Sequence, residues 1–86
     1  MDLFAKIKSG HDKNHIYYIV EKDDKYVYLA NGTTKSMKHP KKKNPLHIQI
    51  IKQLPGEVTS ILRSEEKLTD QKLADALEKY KSNLNH

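Results

Sequence analysis

The chain has 86 residues, enough for one small domain with a modest core. It has no cysteine, which excludes a disulfide framework, a cysteine zinc site and a thiol nucleophile. Lys and Arg number 16 against 11 Asp and Glu, and the excess is one-sided: residues 1–55 hold 11 Lys and 5 acids, whereas residues 56–86 hold 5 Lys and Arg and 6 acids. A basic first part with a neutral tail points to a polyanionic partner, nucleic acid first; the competing reading is a solubilising surface. No apolar run approaches the roughly 18 residues needed to span a bilayer. No apolar stretch follows the charges of Met1-Asp2-Leu3-Phe4-Ala5-Lys6, so a secretory leader is not expected and a cytoplasmic location is.

In chain order, Leu3-Phe4-Ala5-Lys6-Ile7-Lys8 alternates with period two, placing Leu3, Ala5 and Ile7 on one face and Lys6 and Lys8 on the other. Residues 9–15, Ser-Gly-His-Asp-Lys-Asn-His, form a polar turn. Ile16-Tyr17-Tyr18-Ile19-Val20 is β-branched and aromatic and predicts a central strand. A charged connection over 21–25 leads to a return strand, Tyr26–Ala30. Asn31-Gly32 predicts a two-residue hairpin turn into a fourth, edge-like strand over 33–38. His39-Pro40-Lys41-Lys42-Lys43-Asn44-Pro45 follows, its prolines favouring an extended, exposed loop. Leu46–Ile50 resumes the alternation as a fifth strand. Five short strands in about 50 residues predict a small, closed barrel over residues 1–55.

After Leu54-Pro55-Gly56 the period becomes helical, and residues 56–86 are expected to pack two short helices on the barrel. Val58, Ile61 and Leu62 make the first apolar face. The second helix has Thr69 as N-cap, Asp70 in its first turn, Leu68 and Leu73 as a hydrophobic staple, and a stripe of Leu73, Ala76, Leu77, Tyr80 and Leu84. The fold class expected is mainly β within α+β.

Two constellations could carry binding. The first is Lys35, Lys38, His39, Lys41, Lys42, Lys43 and His47, compact cations suited to phosphate contacts. The second is the loop with Gly10, His11, Lys13, Asn14 and His15, where a glycine lets backbone N–H groups approach a phosphate, and Lys6 and Lys8 would extend it. Asp12 has the simpler reading of a turn residue bonding its own backbone. Tyr17, Tyr18, Tyr26 and Tyr28 could stack on bases or form a methyl-lysine cage, but their alternation with aliphatics turns about half of them inward. His11 and His15 lie in a loop with no third ligand marked, so no metal is expected. No P-loop, nucleophile elbow or other catalytic signature is present, and neither a cofactor nor a small-molecule substrate is expected.

Three stretches resemble a KOW-motif domain, the SH3-like barrel of several ribosomal proteins and transcription elongation factors. They are residues 9–15 running into Ile16–Val20, the Leu29-Ala30-Asn31-Gly32 turn, and Lys38–Asn44 followed by His47-Ile48-Gln49. More closely, the chain resembles the small bacterial KOW-domain RNA-binding proteins related to an archaeal and eukaryotic large-subunit ribosomal family. The segment around Leu68-Thr69-Asp70 is similar to that family's helical tail. Asn14 stands where the family has its glycine, and His11 and His15 where it often has arginine. The resemblance implies a non-enzymatic, ribosome-associated protein whose partner is RNA, ribosomal RNA above all, with ribosomal proteins as neighbours. The alternatives are a protein-interaction adaptor of the transcription or translation machinery, docking through the helical stripe, and an accessory subunit of an enzyme.

Overall fold

The computed structural model describes residues 3–64 and 67–84. Five strands, β1 (Phe4–Ile7), β2 (Ile16–Lys22), β3 (Val27–Ala30), β4 (Lys41–Lys43) and β5 (Ile48–Ile51), form one sheet in the order β4-β3-β2-β1-β5, with every pairing antiparallel. Two helices follow, α1 (Gly56–Leu62) and α2 (Asp70–Leu84). The protein is a small α+β fold, and none of its described helices is long and apolar enough to cross a membrane.

Both sheet faces are buried, each by different means. Successive strand residues point to opposite faces. One face carries Ala5, Ile7, Tyr17, Val27, Leu29 and Ile48, a buried cluster that includes no helix residue. The opposite face carries Phe4, Ile16 and Ala30, which join Val58 and Leu62 of α1 and Leu73, Ala76, Leu77 and Tyr80 of α2 in a second core. Phe4 stands at its centre, edge-on to Tyr80 at 5.3 Å and to Tyr18 at 6.3 Å between ring centroids. The helical stripe is therefore spent on the sheet, except for Leu84, which is 59% exposed. Thr69 caps α2 by accepting the Lys72 N–H at 3.2 Å, and Leu68 packs on the core beside Leu73.

The expected closed barrel does not form. β4 and β5 occupy opposite ends of the strand order, with no ladder between them. β4 is only three residues long. The Asn44 side chain then accepts the Leu46 N–H at 2.9 Å, and Pro45–His47 winds a 3₁₀ turn that carries the chain to the far edge. Residues 46–47 thus lie in a turn, and β5 begins two residues later than expected.

The fourth strand is also displaced. Residues 33–38 form a loop, and the strand is the Lys triplet, paired Leu29↔Lys41, Tyr28↔Lys42 and Val27↔Lys43. The reason lies in the Asn31 side chain, whose Oδ1 accepts the N–H groups of Thr33 at 3.0 Å and Lys35 at 2.9 Å. Those donors serve an asparagine turn instead of a hairpin ladder. The loop then docks on α2, where Met37 N–H donates to Asp70 Oδ1 at 2.8 Å. Lysines suit β4 because it is an edge: they discourage further pairing, and Pro40 and Pro45 lie just outside it.

Gly32, at φ +79°, is the tightest point of this docking. A Cβ there would overlap the Asp70 carbonyl oxygen and lie 2.9 Å from the Ala74 nitrogen. Gly32→Ala should therefore cost about 3 kcal/mol or more in urea unfolding, combining backbone strain with separation of loop and helix. Gly10→Ala, at φ +92° with open space around it, should lose only about 1 kcal/mol. Equal losses at the two sites would show that the Gly32 approach is not what requires glycine.

Candidate nucleic-acid interface

The β1–β2 connection is a tight turn held by its own backbone. Asn14 N–H donates to Ile7 O at 2.8 Å, His15 N–H to Asp12 O at 2.9 Å, and Lys13 N–H to Gly10 O at 3.2 Å. Asn14 sits at φ +73°, the left-handed conformation expected of it. The 3₁₀ turn stands beside this loop: Lys8 N–H donates to His47 O at 2.9 Å, and Ser9 Oγ lies 3.3 Å from His47 Nδ1.

Asp12 ties the same loop to β4 through an ion pair with Lys41, both side chains about three-quarters buried. Hydrogen bonding from Lys41 holds the Asp12 carboxyl below its ordinary 3.8, and the same bond raises Lys41 above 10.5. Lys42, on the other face of β4, lies over the Tyr26 ring at 4.4 Å. Lys43 shares the Lys41 face and is half-buried. The triplet is thus not an exposed loop presenting three equivalent cations. One lysine is paired, one covers an aromatic ring, and only Lys42 is exposed.

A cleft of about 440 Å³ opens where five segments meet. Asp12 and His15 come from the first loop, Asn31, Thr33, Thr34 and Lys35 from the second, Lys41 from β4, and Lys81 from α2. Tyr17 also lines it; burial raises its phenol above the ordinary 10.0, and the Asp12 charge adds to the effect. Among the described residues, the only carboxylate in the cleft is Asp12, already engaged by Lys41. The arrangement can receive an anion through Lys35 and Lys81, whose charges the Asp12–Lys41 pair leaves uncompensated, with hydroxyls of Thr33 and Thr34 at hand.

Of the residues singled out in the sequence, the cleft gathers His15, Lys35 and Lys41. Gly10, His11 and Lys13 lie on the exposed turn adjoining it, with Lys8 and His47 along the same end of the sheet. Lys6 and Asn14 line a different groove. Lys38 and His39 are exposed on the loop that docks at the start of α2, outside the cleft. Tyr17 is buried, Tyr26 lies beneath Lys42, and the Tyr28 hydroxyl donates to Asp23 at 2.8 Å. Among the described residues, no group of three or more His, Asp and Glu is placed to hold a metal ion.

Lys81 escapes a reading of charge along the sequence, because it belongs to the neutral tail. Its spacing carries the signal: it follows Leu77 by four and Tyr80 by one, so it borders the buried stripe and must flank the sheet. No protein-family model matches the sequence, and no curated protein matches it.

Two outcomes test this construction. The folded pKa of Asp12 is depressed, so its pair contributes stability above the unfolded value near 3.8 and loses it as pH falls through the folded one. The melting temperature of wild type should exceed that of Asp12→Asn at pH 6, and the gap should close below about pH 4; a gap independent of pH would dismiss the ion pair. Asn14→Gly should be neutral or mildly stabilising, and Asn14→Val should lose about 1–2 kcal/mol by chemical unfolding.

Proposed function

We propose that this protein is a non-enzymatic RNA-binding module of the KOW, SH3-like type, that it docks on structured RNA through phosphate contacts, and that its RNA is ribosomal. The observation that carries the reading is the convergence of Lys35 and Lys81 from two separate elements on one cleft in which Asp12, the sole carboxylate among the described residues, is neutralised by Lys41. Cations held by different elements present a fixed spacing to a phosphate backbone, which a charge run on one flexible segment does not. The exposed turn with His11 and Lys13, and Lys8 beside it, extends the same end of the molecule.

Further support comes from the first loop. Asn14 holds, at φ +73°, the position at which the resembling domains carry glycine. The ribosomal target rests on the resemblance of residues 9–20, 29–32, 38–44 and 47–49 to those domains. Recognition is of shape and phosphate, since the strand tyrosines are engaged within the fold and present no stacking platform to unpaired bases.

The affinity of the full chain for a structured ribosomal RNA fragment should fall linearly in a plot of log K against log salt. The Lys35→Ala, Lys81→Ala double variant should lower that slope by roughly 0.7–0.9 for each phosphate that it no longer neutralises. Lys22→Ala with Lys25→Ala, at the opposite end of β2, should leave it unchanged. Equal slopes for all three proteins would reduce the cleft to solvated charge.

A further inference from the structure

The two edges of the sheet are built differently. The β4 edge consists of three lysines, with a proline just before it and another soon after it, which discourages any added strand. The β5 edge reads Ile-Gln-Ile-Ile, with no charge in the strand and no ladder partner on its outer side among the described residues. Ile50 on this edge is 40% exposed.

A groove of about 750 Å³ runs along this open edge, between β5 and the last turns of α2. The ladder places its floor: Lys6 is opposite Gln49, and Phe4 opposite Ile51, so Lys6, Gln49 and Ile51 share the face that α2 covers. Lys81 and Leu84 form the wall, and Ile50 lines the groove from the other sheet face, so the opening wraps around the strand edge. The lining includes Lys6, Lys52 and Lys81 and, among the described residues, no carboxylate.

We propose that this groove binds an extended segment of a partner protein in which acidic and aliphatic residues alternate, added as a sixth strand on β5. The unprotected edge supplies backbone hydrogen bonds, Ile50, Ile51 and Leu84 supply apolar contacts, and the three ammonium groups select acidic side chains. A nucleic-acid strand is less well matched. The aromatic ring in the groove, Tyr80, is only 8% exposed and offers no face for a base, whereas Ile50 and Leu84 expose aliphatic surface that phosphate contacts would not use. A second copy of this chain would set Lys52 against another basic groove. The inference does not depend on the RNA reading, with whose cleft it shares Lys81 and the buried Ile16.

The test uses the full chain and three fluorescent probes: an eight-residue peptide alternating Glu and Val, an eight-residue Glu peptide, and a single-stranded RNA octamer. The alternating peptide should bind saturably and shift the backbone amide resonances of residues 49–52. Ile50→Glu and Leu84→Glu, both at exposed positions and checked for unchanged melting, should each weaken it about tenfold. Lys35→Ala should leave peptide binding unchanged while weakening RNA, and Ile50→Glu should do the reverse, so the two sites succeed or fail separately. The proposal is overturned if the alternating peptide does not saturate, or if the Glu peptide binds equally well. It is also overturned if the RNA octamer moves the same amides and depends on Ile50, or if those amides shift with protein concentration alone, as self-association would require.

Discussion

The contact on which the rest depends is the one between Gly32 and the backbone of α2. It lets the loop after β3 lie directly on the first turns of the helix, where Met37 N–H adds its bond to Asp70. With the helix fixed there, Leu73, Ala76, Leu77 and Tyr80 fall on Phe4, Ile16 and Ala30, and the sheet face that carries Phe4 is sealed. The same placement brings Lys81 to the space between the two loops. Core and cleft are thus consequences of one backbone approach that only glycine permits.

The lysines illustrate why count and availability differ. Lys41, Lys42 and Lys43 form the longest run of positive charge in the chain, yet strand alternation sends them to opposite faces and gives them different tasks. Lys41 locks the first loop to the sheet through Asp12, so it builds the cleft as well as lining it. Asp23 plays the corresponding role at the other end. Its carboxylate accepts the N–H groups of Lys25 and Tyr26 and the Tyr28 hydroxyl, which hold it below its ordinary pKa and close the β2–β3 turn.

Much of the fold is legible in the sequence, because local patterns decide it. Alternation marks β1, β2, β3 and β5, and the change of period after Pro55 marks both helices. What local pattern cannot reveal is pairing between distant segments. Asn31-Gly32 reads as a hairpin turn until its side chain takes the donors of residues 33 and 35. The Lys triplet reads as solvent-exposed until β3 offers it a ladder. Closure of the barrel depends on whether β4 and β5 meet, which no single segment encodes. In the site, Asn14 is legible from its tolerance of positive φ. The Asp12–Lys41 pair, 29 residues apart in sequence, and the arrival of Lys81 from the neutral tail emerge only with the tertiary structure.

The central claim, that the basic cleft holds this protein on ribosomal RNA, is tested most directly by sucrose-gradient sedimentation of cell lysate at low and high salt. The protein should travel with ribosomal particles at low salt and move to the top of the gradient as salt rises, and the Lys35→Ala, Lys81→Ala variant should be released at lower salt. A protein that stays at the top at every salt concentration, or a variant that sediments as wild type does, would contradict the account.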